Sequence, residues 1–256
     1  MKALHDTRLL YKRFAIQMLR NPVWLIVGFS TPILYLALFT PLLKHFTSGY
    51  AHAAAGGTNV LDGFLPGILA LLSFASGAGA GFSTIFELRA GVIERFRVTP
   101  ASRAAILLGP ILADMTLMFV FDAVVVAIGV AFGFHIHWLG VLILIVPLGL
   151  LMVTVAAFSI ATALLTKDIS SFAAVINGLN LPVLLLAGVL LPISVGPLWM
   201  RVLAHLNPLY YLVSASRQLA AGHLGASQVW LAFAVLVPLC VLVVAWATNV
   251  VRKAVA

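Results

Sequence analysis

Two carboxylates interrupt the apolar segment 104–132. Asp114 and Asp122 lie eight residues apart, which in a helix places them on one broad face. A charged side chain in the middle of a bilayer costs about 3 kcal/mol, so such residues face the protein interior or a polar pathway. The pair therefore indicates one of two roles. It lines a translocation pathway for cationic or hydroxyl-rich substrates, or it makes structural contacts as protonated or hydrogen-bonded acids.

Other patterns with chemical potential are few. His135 and His137 could supply two metal ligands, but no third ligand is close in sequence, so no metal site is predicted. The chain contains no GxxxxGK[ST] phosphate loop, and no nucleotide cofactor is expected on it. Gly77, Gly79 and Gly81 lie in an apolar segment, where small residues allow helices to pack closely.

A short charged segment, residues 87–103, separates two apolar segments. Glu87, Gly91 and Glu94 recur at helical spacing, and Thr99-Pro100 would end that helix before the next apolar segment. A helix of mixed charge at a membrane surface can dock into a groove of a soluble partner and transmit the partner's movement. The alternative is a solvated loop that only supplies basic residues to one side of the membrane.

Composition defines the elements that must position these residues. Of 256 residues, 63% are hydrophobic and 9% are charged, with a mean hydropathy of +1.15, whereas a soluble domain has about 25% charged residues. A spanning helix needs ~20 apolar residues, so the chain accommodates five to seven. The net charge of +8 comes from Lys and Arg residues between apolar segments rather than along one stripe, which argues against nucleic-acid binding.

We therefore predict an all-α integral membrane protein with a single transmembrane domain over residues 1–256. Pro192, Gly196 and Pro197 break the fifth apolar segment and predict a re-entrant outer segment between the fifth and sixth spans. The six predicted spans are residues 23–43, 63–86, 104–132, 138–165, 171–191 and 227–250.

The basic residues orient these spans. With six spans and a cytoplasmic N-terminus, most of the 15 Lys and Arg residues are cytoplasmic, and Lys44, Arg201 and Arg217 are outside. Because basic residues concentrate on the cytoplasmic side, both termini are predicted to lie there. Seven spans would place Arg252 and Lys253 outside, which argues for six.

Residues 1–22 have the pattern of an amphipathic helix. We predict that this helix lies on the membrane surface, and the alternative is a basic flank that only orients the first span. Three apolar residues, Leu9, Ile16 and Leu19, break the pattern. On a helical wheel the apolar stripe contains Leu4, Tyr11, Phe14, Ala15 and Met18, and the opposite side contains Lys2, Lys12, Arg13 and Arg20.

The charged segment resembles the cytosolic loop of type-2 ABC exporter permeases, the family of daunorubicin-type drug permeases and nodulation-factor exporters. That loop has a Glu, a Gly four residues later, a second Glu, then Thr-Pro and a Ser-Arg pair. The matching residues here are Glu87, Gly91, Glu94, Thr99, Pro100, Ser102 and Arg103. The sequence departs from the family at Gly109-Pro110, where a Gly-Lys pair is common.

A second similarity lies near the C-terminus. Asn207-Pro208-Leu209-Tyr210-Tyr211, followed by Arg217, resembles the family's Asn-Pro-Leu segment. In physical terms Asn207 is also a helix N-cap with Pro208 in the first turn. We expect the tyrosines and Arg217 to form an outer interfacial motif that anchors this short helix at the membrane surface.

The resemblance implies a membrane-spanning permease subunit of an ATP-driven exporter, in a bacterial plasma (inner) membrane, that moves a drug-like or amphipathic substrate outward. Two permease copies, a homodimer, would contact membrane lipids and bind two copies of a cytoplasmic ABC ATPase, which would hold ATP and Mg. This chain would not be an enzyme. The implied ATPase-coupling residues are Glu87, Arg89, Gly91, Glu94, Arg95, Arg97, Thr99, Pro100 and Arg103.

Three alternatives remain open at this point. Within the family, the substrate could be a lipid or a lipid-linked glycan. A proton-coupled secondary transporter would use Asp114 and Asp122 as proton carriers and would need no ATPase. A membrane-embedded enzyme is disfavoured because the sequence has no cluster of polar catalytic groups.

Overall fold

All regular structure in the described part of the chain is helical, and every element is an α-helix apart from a 3₁₀ conformation at Ile193. The computed structural model describes residues 2–20, 22–45, 60–91, 103–135, 137–189, 193 and 196–255. This confirms the all-α prediction for those residues. The helices are α1 (Lys2–Leu19), α2 (Pro22–His45), α3 (Val60–Arg89), α4 (Arg103–Ala131), α5 (Trp138–Thr166), α6 (Ile169–Leu186), α7 (Leu198–Ala204), α8 (Pro208–Ala220) and α9 (Ser227–Val255).

Five of these helices, α3, α4, α5, α6 and α9, are long and apolar enough to cross a membrane. In α2, the apolar stretch whose side chains are described, Ile26–Leu38, is shorter. The count of six spans therefore stays a prediction. Proline lies inside α3, α4, α5, α6 and α9, which a membrane helix tolerates because neighbouring helices satisfy the freed backbone groups.

The core is centred on the contact between α3 and α5. A Cβ atom at Gly77 would lie 2.8 Å from the carbonyl oxygen of Met152, so only glycine lets the two backbones approach this closely. The hydroxyl of Ser159 accepts a 3.0 Å hydrogen bond from the Gly81 amide and donates a 2.7 Å bond to the Ala78 carbonyl. The packing role predicted for Gly77 and Gly81 is confirmed.

The same prediction is wrong for Gly79. No described atom lies within 4 Å of a Cβ built at that position. Because α3 turns by roughly 100° per residue, glycines two positions apart point in different directions. Only Gly77 and Gly81, four positions apart, face α5.

Helix α6 differs from the other long helices, because Phe172 is its only buried residue among those described. It ends at Leu186, five residues before the end of the predicted fifth span. The predicted re-entrant segment rests on Pro192, which lies outside the described residues, and on Gly196 and Pro197, which directly precede α7. That segment stays a prediction.

Candidate functional site

The N-terminal helix α1 packs against the first half of α4. A Cβ atom at Gly109 would lie 2.6 Å from the Cβ atom of Leu10, so the glycine makes room for α1. Phe14 is buried, and the Tyr11 hydroxyl donates a 3.3 Å hydrogen bond to Thr116. The predicted apolar stripe of α1 therefore faces protein at Tyr11 and Phe14. Helix α4 also continues through Pro110, where the family pattern differs.

An ion pair ties α1 to the end of α3. Nη2 of Arg13 lies 3.4 Å from Oε1 of Glu87, and the Glu87 side chain is only 17% exposed. Since Arg13 sits on the basic side of α1, the pair crosses from that side to α3. Glu87, predicted as a coupling residue, therefore forms an ion pair with Arg13 of the same chain.

A second ion pair ties the same end of α3 to the junction between α5 and α6. Nη2 of Arg89 lies 3.7 Å from Oδ1 of Asp168, and both side chains are about half exposed. We call Arg13, Glu87, Arg89 and Asp168 the base cluster. It joins four helices around the point where the charged segment leaves α3.

Asp168 is also the N-cap of α6. Its carboxylate accepts hydrogen bonds from the Ser170 hydroxyl and, at 2.8 Å, from the Ser171 amide. The pKa of Asp168 is lowered to about 2, chiefly by the Ser170 hydroxyl, then by the two Ser171 groups and the charge of Arg89. The carboxylate is therefore ionised at neutral pH. The cap was missed in the sequence, although Asp168 followed by two serines at the start of an apolar segment is its usual signal.

The predicted helix through Glu87, Gly91 and Glu94 is wrong at its centre. Helix α3 ends at Arg89, and Gly91 has a φ of +69°. That left-handed conformation ends a helix and suits glycine because it has no Cβ. Glu87 therefore lies before this helix end, in the last turn of α3.

Most of the other predicted coupling residues cannot be placed. Glu94, Arg95, Arg97, Thr99 and Pro100 lie outside the described residues. Arg103 is the first residue of α4, so the charged segment bridges the end of α3 and the start of α4.

The two aspartates of α4 have different surroundings. Asp122 is 6% exposed, and neither carboxylate oxygen has a hydrogen-bond partner among the described residues. The preceding residue, Phe121, packs edge-on against Phe29 of α2. Asp114 is partly exposed. The structure thus separates the pair into one interior carboxyl and one closer to the surface.

Arg217 occupies an unexpected place inside the protein. The Asn-Pro-Leu motif predicts an outer interfacial position for Arg217, yet its side chain is 7% exposed. Its Nε donates to the Gly63 carbonyl at 2.9 Å, and Nη2 donates to the carbonyls of Gly188 and Val189 at 2.8 and 3.2 Å. One guanidinium therefore joins α8 to the start of α3 and to the turn after α6.

The rest of the Asn-Pro segment fixes the start of α8. Asn207 accepts a 3.0 Å hydrogen bond from the Leu209 amide, and Pro208 is in the first turn, which confirms the N-cap prediction. The Asn207 amide also donates to the Val183 carbonyl of α6 at 2.7 Å. The Tyr211 hydroxyl donates to the His205 carbonyl at 3.0 Å.

The histidine pair does not form a metal site with other described residues. His135 contacts Asp62 through its backbone amide at 3.2 Å and through Nδ1 at 3.4 Å. No group of three or more His, Cys, Asp or Glu side chains among the described residues could hold a metal ion. The contact joins the loop after α4 to the start of α3.

The fold defines a multi-pass membrane protein. Several of its apolar helices are long enough to span a bilayer, and charged residues are gathered at helix ends. Residues 5–220 match the family described as ABC-2 type transporter, and the chain belongs to that family. The resemblance stated from the charged segment is thus confirmed.

Two relatives illustrate the range of the family. The "Putative transport permease ycf38" of Cyanophora paradoxa is 32% identical over 216 residues, which cover 84% of this chain and 73% of that protein. The "Daunorubicin resistance ABC transporter permease protein DrrB1" of Streptomyces coeruleorubidus is 27% identical over 221 residues, which cover 84% and 74% of the two chains. The chain is therefore similar to transport permeases along most of its length.

Proposed function

We propose that this chain is the permease subunit of an ATP-driven exporter of a drug-like or amphipathic substrate, with ATP and Mg bound by a separate cytoplasmic ABC ATPase. The similarity to a daunorubicin resistance permease supports the substrate class. The observation that carries the mechanism is the base cluster, because it connects the end of α3 to α1, α5 and α6.

Force on the charged segment would reach the helices through these ion pairs. The segment leaves α3 just after Glu87 and Arg89, and these residues contact α1 and the α5–α6 junction. An ATPase bound to the charged segment, residues 87–103, would therefore move several helices together. The pair between Arg89 and Asp168 is about half exposed, and such ion pairs are weak, so it can exchange partners during a transport cycle.

Helix α6 supports the proposal of a homodimer. Asn177, Gly178 and Asn180 are exposed on this membrane-length helix. Exposed amides are costly in lipid, and helix interfaces in membranes favour small residues and interhelical hydrogen bonds. A second copy packed on this face would satisfy both amides, and substrate would pass along the interface.

An apolar cleft lies on another side of α6. It has a volume of about 230 Å³ and separates α6 from α3, α5 and α9 near Phe74, Phe158 and Val243. The cleft leaves α6 room to shift while α3 and α5 stay packed. We propose that this shift opens the route for the substrate.

Transport in vesicles tests the proposal directly. The permease is reconstituted with its ATPase, and ATP-dependent movement of a lipophilic cationic drug is compared with movement of a labelled phospholipid. ATP-dependent drug movement supports the drug exporter, and lipid movement alone supports a lipid exporter. Transport driven by a proton gradient without the ATPase would contradict both.

The buried carboxyl of Asp122 favours a proton-coupled transporter as the second candidate, because both its oxygens lack described partners. Asp122→Asn distinguishes the roles. A pathway residue predicts weaker transport of cationic than of neutral substrates, and a proton carrier predicts loss of gradient-driven transport. Equal effects on all substrates, or loss of folded protein, indicate a structural role.

Disulfide crosslinking tests the dimer. Cys240 is the only cysteine, so Gly178→Cys in a Cys240→Ser background introduces a single thiol on the exposed face of α6. We expect a dimer-sized product after mild oxidation. Ala174 is also exposed and lies one turn away, so Ala174→Cys reports how far the contact extends. Crosslinking at neither position would contradict pairing through this face.

The same proposal includes a bacterial inner-membrane location with both termini in the cytoplasm. Alkaline phosphatase fused after Lys253 should be inactive, because it folds only outside. An active fusion would contradict the six-span orientation.

A further inference from the structure

The face of α1 turned away from α4 carries an unusual set of residues. Leu9 is 56% exposed and Ile16 is 44% exposed. They are seven positions apart, so they lie one above the other on the helix. Exposed basic residues flank them at Arg8, Lys12 and Arg20. We call these five residues the basic face.

The basic face explains why the apolar stripe of α1 is imperfect. Leu9 and Ile16, two of the three residues that break the stripe, are on the side opposite Tyr11 and Phe14, which contact the rest of the chain. Helix α1 is therefore apolar on one side toward protein and has a second, smaller apolar patch among basic residues.

We propose that the basic face binds the headgroups of anionic phospholipids. Leu9 and Ile16 would reach the acyl boundary, and the long basic side chains would extend to the phosphates. Anionic lipid headgroups attract Lys and Arg close to the membrane surface. The inference does not depend on what the protein transports.

The position of α1 favours lipid over a protein partner. Only Arg20 and Asn21 separate α1 from α2, which begins at Pro22. The contact with α4 lies between Gly109 and Thr116, within the membrane-length helix Ile106–Ala131. The face opposite α4 thus stays at the membrane boundary. An acidic protein surface would match the basic residues but would have to reach Leu9 and Ile16 at that depth.

Arg13 of α1 differs from the basic residues of the basic face. It is also exposed and basic, but it pairs with Glu87 at 3.4 Å. Its charge is partly compensated within the chain, so it should contribute less to lipid binding than Arg8, Lys12 or Arg20. The proposal thus predicts an order among basic residues of the same helix.

Native mass spectrometry of the full chain in detergent provides the test. Phosphatidylglycerol and phosphatidylcholine are titrated separately, and their apparent affinities are compared. The proposal predicts tighter binding of phosphatidylglycerol. Each of Arg8→Gln, Lys12→Gln and Arg20→Gln should weaken it roughly fivefold, since one basic residue near an anionic surface contributes about that factor.

Three controls separate charge on this face from other effects. Arg8→Lys and Arg20→Lys keep the charge and should retain the preference. Lys253→Gln removes an exposed charge at the other end of the chain and should leave it unchanged. Higher salt should reduce the preference because these charges are at the surface.

A label locates the contact. With Ile16→Cys in the Cys240→Ser background, an attached fluorophore should be quenched more by brominated phosphatidylglycerol than by brominated phosphatidylcholine in vesicles. Equal affinity for both lipids, or glutamine variants that keep the preference, would overturn the proposal. It would also be overturned if these variants kept lipid binding and lost only ATPase assembly, since the basic face would then be a protein-docking surface.

Discussion

Arg217 and Gly63 are 154 positions apart in sequence, and yet Nε of the arginine donates a 2.9 Å hydrogen bond to the glycine carbonyl. The same side chain also reaches the carbonyls of Gly188 and Val189. A guanidinium has several donors in a fixed plane, so it can bridge backbone groups that a single ammonium cannot. One buried residue thus holds three segments together.

Arg217→Ala should destabilise the protein by roughly 3 kcal/mol or more, because hydrogen bonds to charged groups are worth about 1.5–3 kcal/mol each. Arg217→Lys should have an intermediate effect, since one ammonium replaces several donors. The measurement is the thermal unfolding midpoint in detergent. Tyr211→Phe is the control and should cost only about 1 kcal/mol, the usual value of one neutral hydrogen bond. Equal midpoints for the parent and Arg217→Ala would contradict the bridging role.

The charged segment should be the ATPase-docking site. Glu94→Lys reverses a charge in the segment without altering any predicted span, so insertion and folding should survive, while assembly with the ATPase or substrate-stimulated ATP hydrolysis should fall. Co-purification and ATPase activity are compared for Glu94→Lys and Glu94→Gln at matched expression. If both variants assembled and transported like the parent, the segment would be only a connector.

The contact between α5 and α8 should not tolerate a methyl group at Gly140. A Cβ atom there would overlap the backbone carbonyl of Leu219, and overpacking typically costs about 1–3 kcal/mol. Gly140→Ala should therefore lower the unfolding midpoint. Gly79→Ala in α3 is the matched control, because outside its own helix no described atom is within 4 Å of a Cβ built there. An unchanged midpoint for Gly140→Ala would indicate that α8 shifts freely.

The cap of α6 should respond to acid at an unusually low pH. The pKa of Asp168 is about 2 in the folded chain, against 3.8 for an ordinary aspartate. Because the folded value is the lower one, the carboxylate stabilises the fold above about pH 4, and that contribution disappears as the pH falls toward 2. The thermal stability of the parent and of Asp168→Asn should therefore differ by a constant amount above about pH 5 and converge below it.

A second variant tests the cause of the low pKa. Ser170→Ala should raise the pKa of Asp168, so the stability of this variant should fall at a higher pH than that of the parent. A difference that does not change with pH would show that the charge of Asp168 is irrelevant.

The helical character and the approximate positions of the helices were predictable because long apolar segments leave few alternatives in a bilayer. The N-cap at Asn207 was predictable because an Asn followed by a Pro in the first turn is a local signal for the start of a helix. The location of Arg217 was not, because its partners are distant carbonyls that carry no sequence signal.

The base cluster shows the same limit. Glu87 was identified from a local motif, but its pairing with Arg13 joins residues 74 positions apart. Spacing predicted a helix through Gly91, and a positive φ ended it there, because glycine allows both conformations. Pattern alone could not decide between them.

The ion pair between Arg13 and Glu87 should matter more for coupling than for stability. The Arg13 side chain is 45% exposed and the Glu87 side chain 17%, so breaking this partly solvated pair should cost on the order of 1 kcal/mol in unfolding free energy. If the pair links α1 to the moving end of α3, Arg13→Glu and Glu87→Arg should each reduce ATP-driven transport without reducing the amount of folded protein. The double variant exchanges the two charges, restores the pair and should recover much of the transport. If the single variants acted only through the general charge of the surface, the double variant would not recover transport. Transport and ATP hydrolysis are measured together in vesicles, with Lys253→Glu as a control that reverses an exposed charge on α9 and leaves the pair intact. Single variants that transport like the parent, or a double variant no better than the singles, would show that the pair does not couple the two helices.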